Sequence, residues 1–215
     1  FVSNGYNSTE DSTGFFMLDI EGGMDGTWES DEVRYVEFDS DGDGLSPLSA
    51  FDTTGDYLID RIYAGDLDGK LWVADGTNGS WGAAYSNASG PQPLFTAASN
   101  PPITAAPVAA ANKDAVRAGN EPNLLIFFGT GQYLESDDVT STNTQSVYGL
   151  WDKGVAGLTR STLEPRTLDE ATLALEGEAT AEVRYSNGDA LDFSEINGWY
   201  ADLDISGERA VVSPQ

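Results

Sequence analysis

The run Asp52-Thr53-Thr54-Gly55-Asp56-Tyr57-Leu58-Ile59-Asp60 carries oxygen-bearing side chains at its first, third, fifth and ninth positions, Asp52, Thr54, Asp56 and Asp60. In a tight loop alternate residues point inward, and the main-chain carbonyl of the seventh residue, Leu58, fills the remaining gap. Such an all-oxygen set suits a hard divalent cation, Ca2+ first among them. A second acidic run, Asp39-Ser40-Asp41-Gly42-Asp43-Gly44, has Asp39, Asp41 and Asp43 at the same opening spacing. Its ninth and twelfth positions are Pro47 and Ala50, so no terminal carboxylate completes the shell. It is the weaker candidate.

Other chemistries are excluded by what the chain lacks. With no Cys and no His among its 215 residues, it cannot supply the usual ligands of zinc, copper, haem or iron–sulfur clusters. Nor can it supply a Cys nucleophile or a His-centred triad. Asp plus Glu outnumber Lys plus Arg by 36 to 10, a formal net charge of −26. Such a surface repels phosphate backbones and anionic bilayers, so neither a nucleic acid nor membrane insertion is expected. Calcium fits that field. An acidic surface tuned to a saline medium, where the charge is screened, accounts for it equally well. No apolar run reaches the length of a membrane-spanning helix.

The elements that must position the acidic loop read as strands. Short runs of Val, Ile, Thr, Tyr, Phe and Trp between glycine turns favour an all-β chain. Arg61–Ala64 reads as a strand, Gly65-Asp66-Leu67-Asp68-Gly69 as a turn and Lys70–Ala74 as the return, with Asp68-Gly69 the hairpin signal. The same grammar of strand, glycine turn and strand ending on Asp appears at Phe1–Ser3 with Phe15–Asp19, and at Leu124–Phe128 with Ser146–Asp152. A weaker copy is Gly198–Leu203 with Arg209–Val212. Repeats of this kind indicate a β-propeller. At roughly 40–50 residues per blade the chain holds about four blades' worth, read as one domain over residues 1–215, and its start inside a strand suggests part of a larger propeller. A β-sandwich is the plainer alternative.

Gly44–Leu48 and Pro101–Pro107 are expected as inner strands, the former in the blade before the acidic loop, and Ala109–Asn120 as loop. The acidic loop is then expected between the first and second strands of its blade. One helix is expected, capped by Thr167, with Asp169 and Glu170 in its first turn ahead of Ala171–Leu175. Trp28, Trp72, Trp81, Trp151 and Trp199 are expected to pack between blades rather than form a sugar platform.

In order along the chain, several pieces resemble the C-terminal propeller of the PilY family, calcium-binding adhesins of type IV pilus tips. They are Asn4-Gly5-Tyr6-Asn7-Ser8, Gly44-Leu45-Ser46-Pro47, the Asp52–Asp60 loop, Tyr63 to Trp72 and Pro93-Leu94-Phe95-Thr96-Ala97. Pro102 to Pro107, Phe128 to Glu135, Tyr148-Gly149-Leu150-Trp151-Asp152, Gly198-Trp199 and Gly207-Glu208-Arg209 follow. Each piece alone is a weak signal; the ordered series is specific and spans almost the whole chain. The resemblance implies a larger propeller, a bacterial cell-surface location at the pilus tip, and a non-enzymatic role in pilus biogenesis, twitching motility and adhesion. It implies pilin or minor pilins, and a host or abiotic surface, as partners. It also implies a calcium site that influences pilus extension, falling here on Asp52, Thr54, Asp56 and Asp60 with the Leu58 carbonyl.

One departure stands out: the family commonly has Gly at the sixth loop position, where this chain has Tyr57, and Gly55 sits at the fourth. A distorted loop of lower affinity is the expectation. No Arg-Gly-Asp tripeptide is present. Two alternatives stay open, a quinoprotein-dehydrogenase-like propeller enzyme and a generic carbohydrate-binding or structural propeller.

Overall fold

The computed structural model describes residues 1–99, 101–114, 122–175 and 180–215. Among the described residues there is no α-helix; the regular structure is strand with three short 3-10 turns. The first sheet joins β1 (Val2–Ser3), β2 (Thr13–Leu18) and β3 (Val33–Asp39) in chain order. The second sheet holds β4 (Ser49–Phe51), β5 (Arg61–Gly65), β6 (Lys70–Asp75) and the short β7 (Gly82–Ala83). A separate small hairpin, β8 (Ser86–Asn87) with β9 (Gly90–Pro91), follows, and β10 (Phe95–Thr96) then returns to the second sheet beside β6. The third sheet is built from β11 (Val108–Ala111), β12 (Leu124–Gly129) and β13 (Gln145–Asp152). Next in the chain, β14 (Leu158–Thr159) crosses back to pair in parallel with β10. The third sheet is completed by β15 (Glu164–Ala174), β16 (Thr180–Asn187) and β17 (Gly198–Leu203), in the order β11-β12-β13-β17-β15-β16.

The middle sheet explains why the hairpin at 61–75 reads as an unbroken apolar run. It is buried on both faces, so neither side of the pleat needs polar residues. Ile62, Ala64, Trp72 and Ala74 face the first sheet, where they pack with Phe15, Val36, Phe38 and Leu45. Tyr63, Leu71 and Val73 belong to the second core, with Phe95, Ile103, Ile126, Phe128, Tyr148 and Leu150. Ring contacts fix both layers: Phe38 stacks on Trp72 at 5.3 Å, and Phe128 on Tyr148 at 5.0 Å. Sheets stacked face to face along the chain are the blades of a propeller, as the repeats indicate.

Three expectations are corrected. Residues 167–174 are strand, not helix: β15 pairs antiparallel with β16 from Thr167↔Asn187 to Ala174↔Thr180. Ala, Leu and Glu are good helix formers, but tertiary context overrides propensity: the base of β15 is fixed by parallel pairing with β17, Glu164↔Trp199 to Arg166↔Ala201. Gly198–Leu203 opens no further repeat; as β17 it adds to β13. Arg209–Val212 is no strand either: Ala210 N–H donates to the Thr130 carbonyl at 2.9 Å, against Gly129, where a Cβ would strike Ala210.

Smaller shifts follow the same logic. Leu45 bridges Asp66, and the Ser46 amide bonds the Gly65 carbonyl at 2.8 Å, so Gly44–Leu48 serves the second sheet itself and not the preceding one. Ile103 bridges Gly131, but the ordered strand starts later, at Val108, inside the segment expected as loop. Residues 115–120 of that expected loop lie outside the described residues. Of the tryptophans, Trp72 and Trp81 join the first two sheets, Trp199 lies over Gly149, and Trp28 is 48% exposed rather than between blades.

Candidate metal centre

The acidic loop joins β4 to β5, the first two strands of the second sheet, as the sequence predicts. Its base is closed where the Asp60 amide donates to the Phe51 carbonyl at 2.9 Å, and the Asp60 carbonyl accepts from Gly76 N–H at 2.8 Å. With its ends clamped, the chain between them folds back over three carboxylates. One oxygen from each of Asp52, Asp56 and Asp60 lies within 4.8 Å of the others. Asp60 is buried, whereas Asp52 and Asp56 are exposed.

Main-chain amides hold this arrangement. Asp60 Oδ2 accepts from Thr53 N–H at 2.8 Å, Thr53 Oγ1 at 3.0 Å and Thr54 N–H at 3.0 Å. Asp52 Oδ1 accepts from Gly55 N–H at 2.6 Å and Thr54 N–H at 3.1 Å, and its Oδ2 from Tyr57 N–H at 2.8 Å. Asp56 Oδ1 accepts from Leu58 N–H at 2.9 Å. The Gly55 amide, with those of Tyr57 and Thr54, holds the Asp52 carboxyl below the usual carboxylate range. The three carboxyl groups lie close together, yet among the described residues no Lys or Arg pairs with any of them. An all-oxygen, cation-free cluster of this kind fits a hard divalent ion by donor type and charge.

The three carboxylates of the predicted set converge. Thr54 turns its hydroxyl to Asp52 Oδ1 at 3.4 Å, and Leu58 gives its amide to Asp56 while its side chain is 67% exposed. Gly55 and Tyr57 both adopt left-handed backbone, with φ of 82° and 70°. Asp39, Asp41 and Asp43 do not converge. Lys70 Nζ takes Asp39 at 2.8 Å and also reaches Asp68 at 3.2 Å. Burial works against the Asp39 anion, but the Lys70 hydrogen bond and charge outweigh it, and its carboxyl is held below the usual range. Asp41 and Asp43 are exposed.

Beside the loop lies a second polar cluster that the sequence reading missed. Arg61, 5% exposed, bonds Asp75 at 2.6 Å and Asp152 at 3.0 Å, and Asp152 is fully buried. Tyr63 donates to Asp152 at 2.7 Å, and Tyr85 donates to the same carboxylate. The closing aspartates of two repeats thus meet on one guanidinium, which ties the second sheet to the third. The available signal was Arg61 itself, a lone cation opening an apolar strand, which burial obliges to find a partner.

Asp66, read as a turn residue, is likewise buried. Burial lifts its pKa to about 6 against the hydrogen bonds from Trp72 Nε1–H at 2.7 Å and Lys70 N–H at 2.8 Å.

No helix among the described residues is long and apolar enough to cross a membrane. The family model for the PilY1 beta-propeller domain matches residues 1–183. A type IV pilus biogenesis factor PilY1 homolog of Xylella fastidiosa is 31% identical over 98% of this chain, which spans 15% of that relative's length. The type IV pilus biogenesis factor PilY1 of Pseudomonas aeruginosa PAO1 is 26% identical over 96% of this chain and 20% of its own length. The crystal structure of the Pseudomonas aeruginosa PilY1 C-terminal domain aligns over 99% of this chain and 49% of that chain, with 25% identity and a TM-score of 0.75. On the extent of the family match and of the identity to these relatives, the chain belongs to the PilY1 beta-propeller domain family.

Proposed function

We propose that this chain is a calcium-binding, non-enzymatic β-propeller segment of a type IV pilus biogenesis protein. It acts at the cell surface, at the pilus tip, in pilus assembly, twitching motility and adhesion. Its partners are pilin or minor pilins and the surface to which the pilus attaches. The observation that carries the calcium reading is the convergence of Asp52, Asp56 and Asp60 with no cation of the chain's own. Bound Ca2+ would be held by these carboxylates and would supply the missing positive charge. The chain's own part is to clamp β4 and β5 at the loop base and to hold the carboxylates in place with main-chain amides. A bound ion then favours whichever propeller arrangement holds the loop closed, since a ligand shifts only an equilibrium whose states it distinguishes. The pilus assignment draws its support from the relatives' printed roles.

Thermal melting across a calcium titration tests the site. Calcium at about 100 times the dissociation constant stabilises by roughly 2.7 kcal/mol. For a domain of this size that raises Tm by several degrees, at about 2–4 °C per kcal/mol. The rise is expected in the parent and absent in an Asp52→Ala, Asp60→Ala double variant. A rise that survives in the variant would move the site elsewhere. In cells encoding the full-length protein, the same pair of substitutions is expected to alter pilus number or twitching. Unchanged pili would separate calcium binding from pilus function.

A further inference from the structure

The third sheet runs outward past the strands that pack on its neighbours and ends on β16. The β15–β16 pairing is regular along eight residue pairs, with no bulge. The other edge of β16 has no strand partner among the described residues. Its sequence, Thr180-Ala181-Glu182-Val183-Arg184-Tyr185-Ser186-Asn187, contains no Pro, Gly or Lys, the residues that commonly blunt an edge. A long, regular edge, whose only charged side chains are Glu182 and Arg184, offers a row of main-chain donors and acceptors to another strand.

We propose that β16 is a homotypic docking edge, pairing antiparallel with β16 of a second copy about a two-fold axis through Val183. The sequence selects this occupant because it complements itself in that register. Glu182 of one copy lies opposite Arg184 of the other, twice over; Ala181 lies opposite Tyr185, and Thr180 opposite Ser186. Sliding by one residue sets Glu182 against Tyr185 and Val183 against Arg184, which loses both charge pairs. Parallel in-register pairing would set Glu182 beside Glu182. Opposite charges across a ladder stabilise it and like charges oppose it.

The side chains are placed for this contact. Glu182 is exposed, with one oxygen accepting from Thr172 Oγ1 at 2.9 Å. Arg184 is anchored by Glu208 at 2.5 Å, with Asp204 at 3.8 Å, and its side chain keeps 17% of its surface exposed. Tyr185 is 51% exposed.

Two effects keep the association weak. A single strand per copy falls short of the ~1,000 Å² of a stable interface, and each copy carries a charge of −26. The expected dimer therefore dissociates in the upper micromolar range and tightens as salt screens the long-range repulsion.

Sedimentation velocity of the 215-residue chain over about 10–500 µM, at about 0.15 M salt, tests this. The parent is expected to self-associate, and Glu182→Arg, which opposes two arginines, to weaken it by about tenfold or more. Arg184→Glu is expected to fail alone for the mirror reason. A mixture of the two variants regains both charge pairs and is expected to associate, which also shows that each still folds. A parent that stays monomeric overturns the proposal, even if it captures a foreign extended peptide. So does a Glu182→Arg chain that self-associates as tightly as the parent.

Discussion

Two groups of aspartates lie on either side of one peptide bond and solve the same electrostatic problem in opposite ways. Asp60 ends the β4–β5 loop, where it gathers with Asp52 and Asp56 and meets only main-chain amides and a threonine hydroxyl. Arg61, the next residue, turns inward and neutralises Asp75 and the fully buried Asp152. The inner cluster carries its own cation and clamps two blades at any ionic composition. The outer cluster has no Lys or Arg partner among the described residues, and the proposed calcium site rests on that difference. The difference teaches which acidic groups in a chain of charge −26 are structural and which are receptive: what matters is whether the fold has supplied a counter-charge, not how many carboxylates lie together.

The comparison breaks most sharply at Arg61. Arg61→Met leaves Asp152 buried without its guanidinium, and breaking a buried pair from one side costs about 3–5 kcal/mol. Urea unfolding should show that loss with or without calcium. The outer cluster should respond in the opposite sense. Asp60→Asn keeps an acceptor for the Thr53 and Thr54 amides but removes one of the three charges. Stability without calcium is expected to be nearly unchanged, while the roughly 2.7 kcal/mol available at about 100 times the parent's dissociation constant is lost. Paired melts with and without a chelator distinguish the two variants.

Asp66 is an intermediate case: buried like Asp152, but with Lys70 offering only a nearby charge and an amide. Its pKa, raised to about 6 by burial, means that the folded chain binds the proton more tightly than the unfolded chain does. Its contribution is therefore full below the ordinary carboxylate range and is lost as pH rises through about 6. Asp66→Asn keeps the acceptor for Trp72 and should remove this slope. The variant should gain on the parent by up to about 2 kcal/mol between pH 4 and 7, as read from urea midpoints across that range.

Local grammar made the repeats, both hairpin strands of the middle sheet and the acidic loop between its first two strands readable from residues alone. Each rests on contacts close in sequence, such as Asp68-Gly69 turning β5 into β6. The Arg61–Asp152 link was not readable, because it joins residues far apart whose only shared signal is burial. Nor was the β15–β16 hairpin. Its Ala, Leu and Glu favour helix over short range, and the docking of Glu164–Arg166 on β17 overrides that preference. In the loop, spacing marks which residues can turn inward, whereas the amides of Thr54 and Leu58 that help hold Asp60, Asp52 and Asp56 in place leave no mark in the spacing.

Tyr57 gives the finest distinction between the clusters. At φ 70° with 95% of its surface exposed, it takes the left-handed turn that brings its amide to Asp52 and gains no packing in return. Left-handed backbone costs a non-glycine residue about 1–2 kcal/mol, while glycine loses roughly 0.5–1 kcal/mol more conformational freedom on folding. Tyr57→Gly should therefore stabilise the chain by no more than about 1 kcal/mol. If the turn has the same shape with and without the ion, the gain appears equally in chelator and in calcium, and affinity is unchanged. If the tyrosine relaxes out of the turn when the ion leaves, Tyr57→Gly tightens calcium binding, and the gain appears only when calcium is present. Melts of the two proteins in both conditions separate a loop set by its amides from one that the cation must close.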